Sequence, residues 1–222
     1  MKKLFATTLL LVLSLTTQAQ TDVTKFLGIP VDGTKPEMIR QLKAKGFRNS
    51  PYNNEILEGE FNGSNVYVSV ATNNNKVWRI MVSDATPTDV RNVQIRFNRL
   101  CKQFENNPNY VTLKDYTIPD DEDIRVQILL NKKRYEAAFY QKPEVPASLI
   151  VKNAEAFLSS KYTEEQLENP TEEIQVEIFE YIEEVLTKKN VWFMISDNCD
   201  PGEYKILMFY DNKYNEANGQ DL

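Results

Sequence analysis

The chain has 222 residues, a formal net charge of −6, eleven tyrosines, eleven phenylalanines, two cysteines and no histidine. That length supports one or two domains with a real core, and the acidic balance disfavours nucleic acid and anionic lipid, which both require a basic footprint. Without histidine there is no Ser-His-Asp or Cys-His catalysis, no HExxH zinc site and no imidazole proton shuttle, so any enzyme here runs on carboxylates, Tyr, Lys or a hard cation.

Residues 1–19 read as a secretory signal peptide. Lys2 and Lys3 give the basic start, Leu4 to Leu15 the apolar run, and Thr17-Gln18-Ala19 the small-x-small cleavage signal. The apolar stretch is too short to span a membrane. Gln20 becomes the mature N-terminus, and the expected location is the periplasm or the exterior. No Cys follows the cleavage point, which closes the lipid-anchor route. Residues 20–222 read as a single α+β domain in three sub-units, 20–85, 86–142 and 143–222.

The first helix is well signposted. Thr34 caps it, Pro36 lies in the first turn and Glu37 completes a capping box. Met38, Ile39 and Leu42 form its buried stripe, and Gly46-Phe47 supplies a Schellman ending. Three strands follow, Glu55 to Phe61, Asn65 to Thr72 and Lys76 to Val82, parted by turn-prone Asn62-Gly63-Ser64 and Asn73-Asn74-Asn75. Val66, Val68 and Val70 alternate on one face, as do Trp78, Ile80 and Val82, which predicts an antiparallel meander covered by a helix.

The order then repeats. Thr86, Pro87 and Asp89 suit a helix start, and Val90, Val93, Phe97, Leu100 and Phe104 form an amphipathic stripe ending near Asn106-Asn107-Pro108. Strands are expected at Tyr110 to Tyr116, Ile124 to Asn131 and Arg134 to Gln141, the last two meeting at a tight turn over Asn131 to Lys133. After Pro143 and Pro146 come a helix from Ser148 to about Ser160, a short one capped by Thr163 with Gln166, and a stronger one from Pro170 to Lys188 capped by Asn169. Its apolar stripe is Ile174, Ile178, Tyr181, Ile182 and Val185. Val191 to Ser196 and Tyr204 to Tyr210 are apolar at nearly every residue, so both belong mid-sheet with both faces buried. The fold class is therefore α+β: antiparallel meanders covered by helices, in two helix-plus-three-strand units with a C-terminal helix and strand pair.

Few side chains suggest chemistry. Glu58 and Glu60 share one strand face about 7 Å apart, a spacing that suits a general acid and base on a glycosidic bond; the same pattern marks the solvated face of a half-buried strand. Asp120, Asp121, Glu122 and Asp123 form an oxygen-rich cluster, but the spacing is not that of a calcium loop and no Gly lets the chain wrap an ion, so a solvated turn is the favoured reading. Asp197 to Gly202 reads as the loop between the last two strands. Trp78 and Trp192 could furnish a sugar-stacking platform, but core is the favoured reading at strand alternation, and Tyr52, Tyr210 and Tyr214, beside polar loop residues, are the better surface candidates. Export permits a disulfide between Cys101 and Cys199, worth up to roughly 4–5 kcal/mol in the chain-entropy model. Two separate thiols, Cys101 being a buried small hydrophobe beside Leu100, are the other arrangement.

Phe26-Leu27-Gly28-Ile29-Pro30, Asp32-Gly33-Thr34, Leu42 to Phe47, Leu57 to Phe61, Tyr210-Asp211-Asn212 and Asn218 to Leu222 together resemble an uncharacterised group of exported proteins from Bacteroides-type gut bacteria. Over residues 26–82, Gly33-Thr34, the short helix, Gly46-Phe47 and the meander are distantly similar to the α/β unit of beta-lactamase-inhibitor-protein and small outer-membrane-assembly lipoprotein folds. Neither resemblance carries over a functional residue. The expectation is an exported, non-enzymatic binding or interaction protein without a cofactor, its partner a protein or a glycan. The alternative is a carboxylate-dependent glycan hydrolase.

Overall fold

The computed structural model describes residues 22–144, 146–217 and 219; the leader and its cleavage point lie outside them. A small hairpin, β1 (Lys25–Phe26) and β2 (Ile29–Pro30), precedes α1 (Lys35–Ala44). Next come β3 (Arg48–Asn49), β4 (Leu57–Phe61), β5 (Ser64–Asn73) and β6 (Lys76–Asp84). Then follow α2 (Val90–Glu105), β7 (Tyr110–Val111), α3 (Ile124–Leu129) and β8 (Glu136–Gln141). The chain closes with α4 (Ala147–Ser159), α5 (Glu164–Glu168), α6 (Glu172–Thr187), β9 (Lys189–Ser196) and β10 (Lys205–Asn212). The class is α+β. One antiparallel eight-stranded sheet runs β3-β4-β5-β6-β10-β9-β8-β7, so strands from all three sequence sub-units share it. Among the described residues no helix is long and apolar enough to cross a membrane.

The start of the fold follows its sequence closely. Glu37 reaches back to the Thr34 amide at 3.2 Å. Gly46 N–H donates to the Lys43 carbonyl and Phe47 N–H to the Leu42 carbonyl, the two bonds of a Schellman ending. Gly46 sits at φ 101°, a conformation that strains any residue with a Cβ. Phe47, 4% exposed, then packs over β4, where a Cβ on Gly59 would stand 2.7 Å from its ring. Gly59→Ala is expected to cost about 1–3 kcal/mol through overpacking. Urea titration beside Lys45→Ala, on the exposed helix end, checks this; equal midpoints would mean that the Phe47 ring swings aside freely.

Helix α1 contacts β5 and β6, while α2 contacts β7, β9 and β10 on the same face. Beneath them lie Val66, Val68, Val70, Ile80, Val82, Met208, Val191, Phe193, Ala137 and Phe139, all buried and all in cross-strand register. An aromatic stack fills the space under α2: Phe104 and Phe139 at 4.7 Å, Phe139 and Phe193 at 5.9 Å, with Phe97 edge-on to Phe193 at 5.0 Å. The opposite, outer face is only half covered.

Several expected elements are corrected. Ile124 to Asn131 is not a strand, because Asp123 caps a helix there by accepting from the Val126 amide at 3.0 Å. A strand would place Val126 and Leu130 with Ile124, yet they are 41% and 74% exposed while Ile124 is 1%. The segment also has no neighbour to pair with, since β8 lies between β9 and β7. The repeat of helix and meander is therefore not a structural one. The strand expected over Tyr110 to Tyr116 stops at Val111, and the chain beyond is stitched to α2 instead: Asn98 bonds both the amide and the carbonyl of Ile118, and Gln94 bonds the Pro119 carbonyl. Thr86 does not cap α2. Thr88 pairs with Tyr204 in an extended bridge, which delays the helix until Asp89 accepts from the Arg91 and Asn92 amides. Thr171 rather than Asn169 caps α6, because Asn169 ends α5 and precedes a proline, which bars it from helical geometry. Finally, β9 is buried on one face only, with Trp192 and Met194 half-buried on the other.

Candidate functional site

On the core face a gap opens over Met208 and Tyr210 of β10. The N-terminal hairpin and the loop after β8 border this gap without filling it. The result is a cleft of about 830 Å³ beside the C-terminal end of α2, within the size range of small-molecule sites. Met208 and Tyr210 of β10 line it together with Leu100 and Phe104 of α2, Phe61 of β4 and Tyr110 of β7. Phe26, 0% exposed, holds the floor in place by packing on Tyr210 at 4.8 Å and Phe61 at 5.1 Å.

The polar lining is largely fixed by internal bonds. Lys189, 3% exposed, donates to Asp22 at 2.5 Å and to the Lys142 carbonyl at 3.1 Å. Lys25 pairs with Glu144 at 2.6 Å. Gln141 accepts from the Lys25 amide at 2.8 Å, and its own amide donates to the Lys25 carbonyl at 2.7 Å and the Tyr110 hydroxyl at 2.9 Å. These bonds fasten residues 22–25 across the loop after β8. On the other side Asn62, in the β4–β5 turn, donates to Gln103 of α2 at 2.8 Å. Both walls are thus preorganised.

Tyr210 differs from its neighbours. It is 4% exposed, yet among the described residues its hydroxyl makes no hydrogen bond. Burial pushes its ionisation well above the ordinary tyrosine range, and burial likewise raises Tyr110. An unfolded tyrosine ionises near pH 10, so the stability contributed by these neutral phenols is complete below that pH and declines as the pH rises above it. Spectrophotometric titration is expected to show Tyr210 silent until alkaline unfolding, and Tyr210→Phe to move the alkaline midpoint upward. A tyrosinate signal from Tyr210 in the folded state would contradict its burial.

The residues singled out from sequence do not converge on this cleft, with two exceptions. Glu60 reaches its rim, and Tyr210, expected near the surface, is at its floor because β10 runs on to Asn212 and keeps Tyr210 inside the strand. Glu58 pairs with Arg48 at 2.9 Å on the outer face. Asp123 is a helix cap, Glu122 bonds Lys133 and the Tyr135 hydroxyl, and Asp120 faces Arg91 at 3.4 Å. Asp121 is exposed. Among the described residues no three Cys, Asp or Glu side chains are grouped to hold a metal ion. Cys101 and Cys199 are free thiols. Cys101 is buried in α2, where loss of solvent, then Glu105 and Asp115, push it up to about 12. Tyr52 and Tyr214 are 89% and 59% exposed.

Trp78 is the clearest displacement. The register of β5 and β6 slips between Ala71 and Thr72, so that Val77 pairs with Thr72 while Arg79 pairs with Ala71. This bulge leaves Trp78 unpaired, buries Val77 in its place and takes Trp78 off the face of Ile80 and Val82. Arg79 then lies 4.2 Å over Trp78 and 4.9 Å over Phe209, and Phe209 stacks on Trp192 at 4.1 Å. Asp211 binds Arg79 through both oxygens, at 2.6 and 2.8 Å, and accepts from the Trp192 indole at 2.8 Å. These groups satisfy one another, so the cluster braces the outer face. No protein-family model, curated protein or solved structure matches this chain.

Proposed function

We propose that this is an exported, non-enzymatic binding protein whose cleft takes a small molecule. The observation that carries the reading is the floor of the cleft: a mostly buried phenol whose hydroxyl bonds no group among the described residues, set among aromatic and aliphatic side chains and flanked by walls that carry their own hydrogen bonds. Such preorganisation lowers the ordering cost of binding. A concave, partly apolar site with a few convergent polar groups is what small ligands require. Among the described residues the cleft offers no nucleophile with an adjacent base. Its carboxylates do not pair as acid and base either, since Glu144 is engaged by Lys25 and Glu58 lies outside. That supports binding over hydrolysis.

Native mass spectrometry of protein recovered from its host tests this directly. A small molecule bound in the cleft is expected to be released chemically unchanged on unfolding. Release of a cleaved product would move the reading to the hydrolase. The same spectrum reads the N-terminus. The basic, apolar and small-residue order of residues 1–19 supports export, and the expected mature chain begins at Gln20. An intact leader on the accumulated protein would remove the exported location.

A further inference from the structure

We infer that the cleft's ligand is a neutral saccharide, an inference that rests on the binding reading above. The charges come first. Lys189 is matched by Asp22 and Lys25 by Glu144. At the rim the exposed Lys142 and Glu60 are of opposite sign. Among the described residues the buried Lys189 is thus already matched, and a charged ligand would find only the solvent-exposed Lys142 and Glu60 at the rim.

Besides Lys142 and Glu60, the polar groups left free among the described residues are hydroxyls and amides. Tyr110 already accepts from Gln141, so its own O–H is left to donate. Tyr210 offers both its proton and its lone pairs. Both phenols stay protonated because burial raises them. Across the cleft, the bond from Asn62 to Gln103 fixes the two amides edge to edge, leaving the second lone pair of each oxygen and the outer N–H of each nitrogen to bond elsewhere. Groups that donate and accept at once, lining one cleft, match the vicinal hydroxyls of a sugar ring, which also donate and accept at once. Phe61 and Tyr110, both half-buried, add apolar surface to the cleft for the C–H face of a pyranose. A fatty chain would leave the phenols and amides without partners, at a cost. A peptide would bring charged termini.

Isothermal titration of the exported protein with maltotriose, cellotriose and N,N′-diacetylchitobiose tests the class, with tri-galacturonate, sodium dodecanoate and trialanine as the other arms. At least one neutral sugar is expected to bind saturably, with little dependence on salt, and amide NMR is expected to place it at Asn62, Gln103 and Tyr210. Tyr210→Phe should weaken it about fivefold, the worth of one neutral hydrogen bond, while the melting temperature holds because the lost hydroxyl bonds no group among the described residues. A phenol that served only the fold would instead lower the melting temperature and leave affinity intact. Binding of tri-galacturonate, dodecanoate or trialanine at these residues, without any of the neutral sugars, overturns the saccharide inference and leaves the binding reading standing. If none of the six probes shifts the cleft resonances, the saccharide inference falls, and the binding reading is decided by whether native mass spectrometry recovers a bound small molecule.

Discussion

Replacing Asp84 with alanine lowers the unfolding free energy by about 3–5 kcal/mol, as expected when one partner of a buried ion pair is removed. Asp84 closes β6 at 9% exposure and holds the Arg96 guanidinium through both oxygens, at 2.6 and 2.5 Å. It also accepts from the Ile206 amide of β10 at 3.3 Å. One carboxylate therefore joins helix α2 to two central strands. Alanine leaves Arg96, whose side chain is 13% exposed, with a charge that neither water nor protein satisfies. The control is Arg48→Ala. Its side chain is 81% exposed and its pair with Glu58 is screened by solvent, so the expected change is under about 1 kcal/mol. Denaturant titrations decide between them, and comparable midpoint shifts would mean that Arg96 finds water once Asp84 is gone.

The second large effect belongs to Phe193→Ala, at about 3–5 kcal/mol. Phe193 is 0% exposed in β9 and faces Phe97, Phe104 and Phe139 within ring-centroid distances of 5.0 to 5.9 Å. Removing it opens a cavity under α2, with walls drawn from three separate elements that cannot all close on it. Phe179→Ala, at a ring 67% exposed on α6, is expected to stay within about 0.5 kcal/mol. Thermal unfolding of the two variants in parallel is the measurement. A small loss for Phe193 would show that the stack repacks.

What was legible in the sequence was local. The capping box at Thr34, the Schellman pair Gly46-Phe47 and the apolar stripe of α2 are decided by neighbours within one or two turns, and each stands where the spacing placed it. What was not legible depended on distant partners. Ile124 to Leu129 carries strand-forming residues, yet no strand edge lies beside it, and one aspartate suffices to start a helix. Trp78 kept perfect alternation with Ile80 and Val82 on paper, but a single slipped residue in β6 turned it to the other face. The cleft was invisible for the same reason. Its floor comes from β10, its walls from α2, the β4–β5 turn and residues 22–25, and no spacing along the chain announces that Tyr210 and Asn62 lie in one cavity.

The sheet ends at both margins on strands of two residues, Arg48–Asn49 and Tyr110–Val111. A strand that short offers too few free amides and carbonyls to recruit another chain, and at one margin Arg48 adds a charge that resists stacking. The long, sticky strands β5, β6, β9 and β10 are all enclosed by neighbours. Edge-to-edge pairing of two molecules through this sheet is therefore confined to the uncovered parts of β4 and β8. The most apolar strands thus sit where no second chain can reach their backbone.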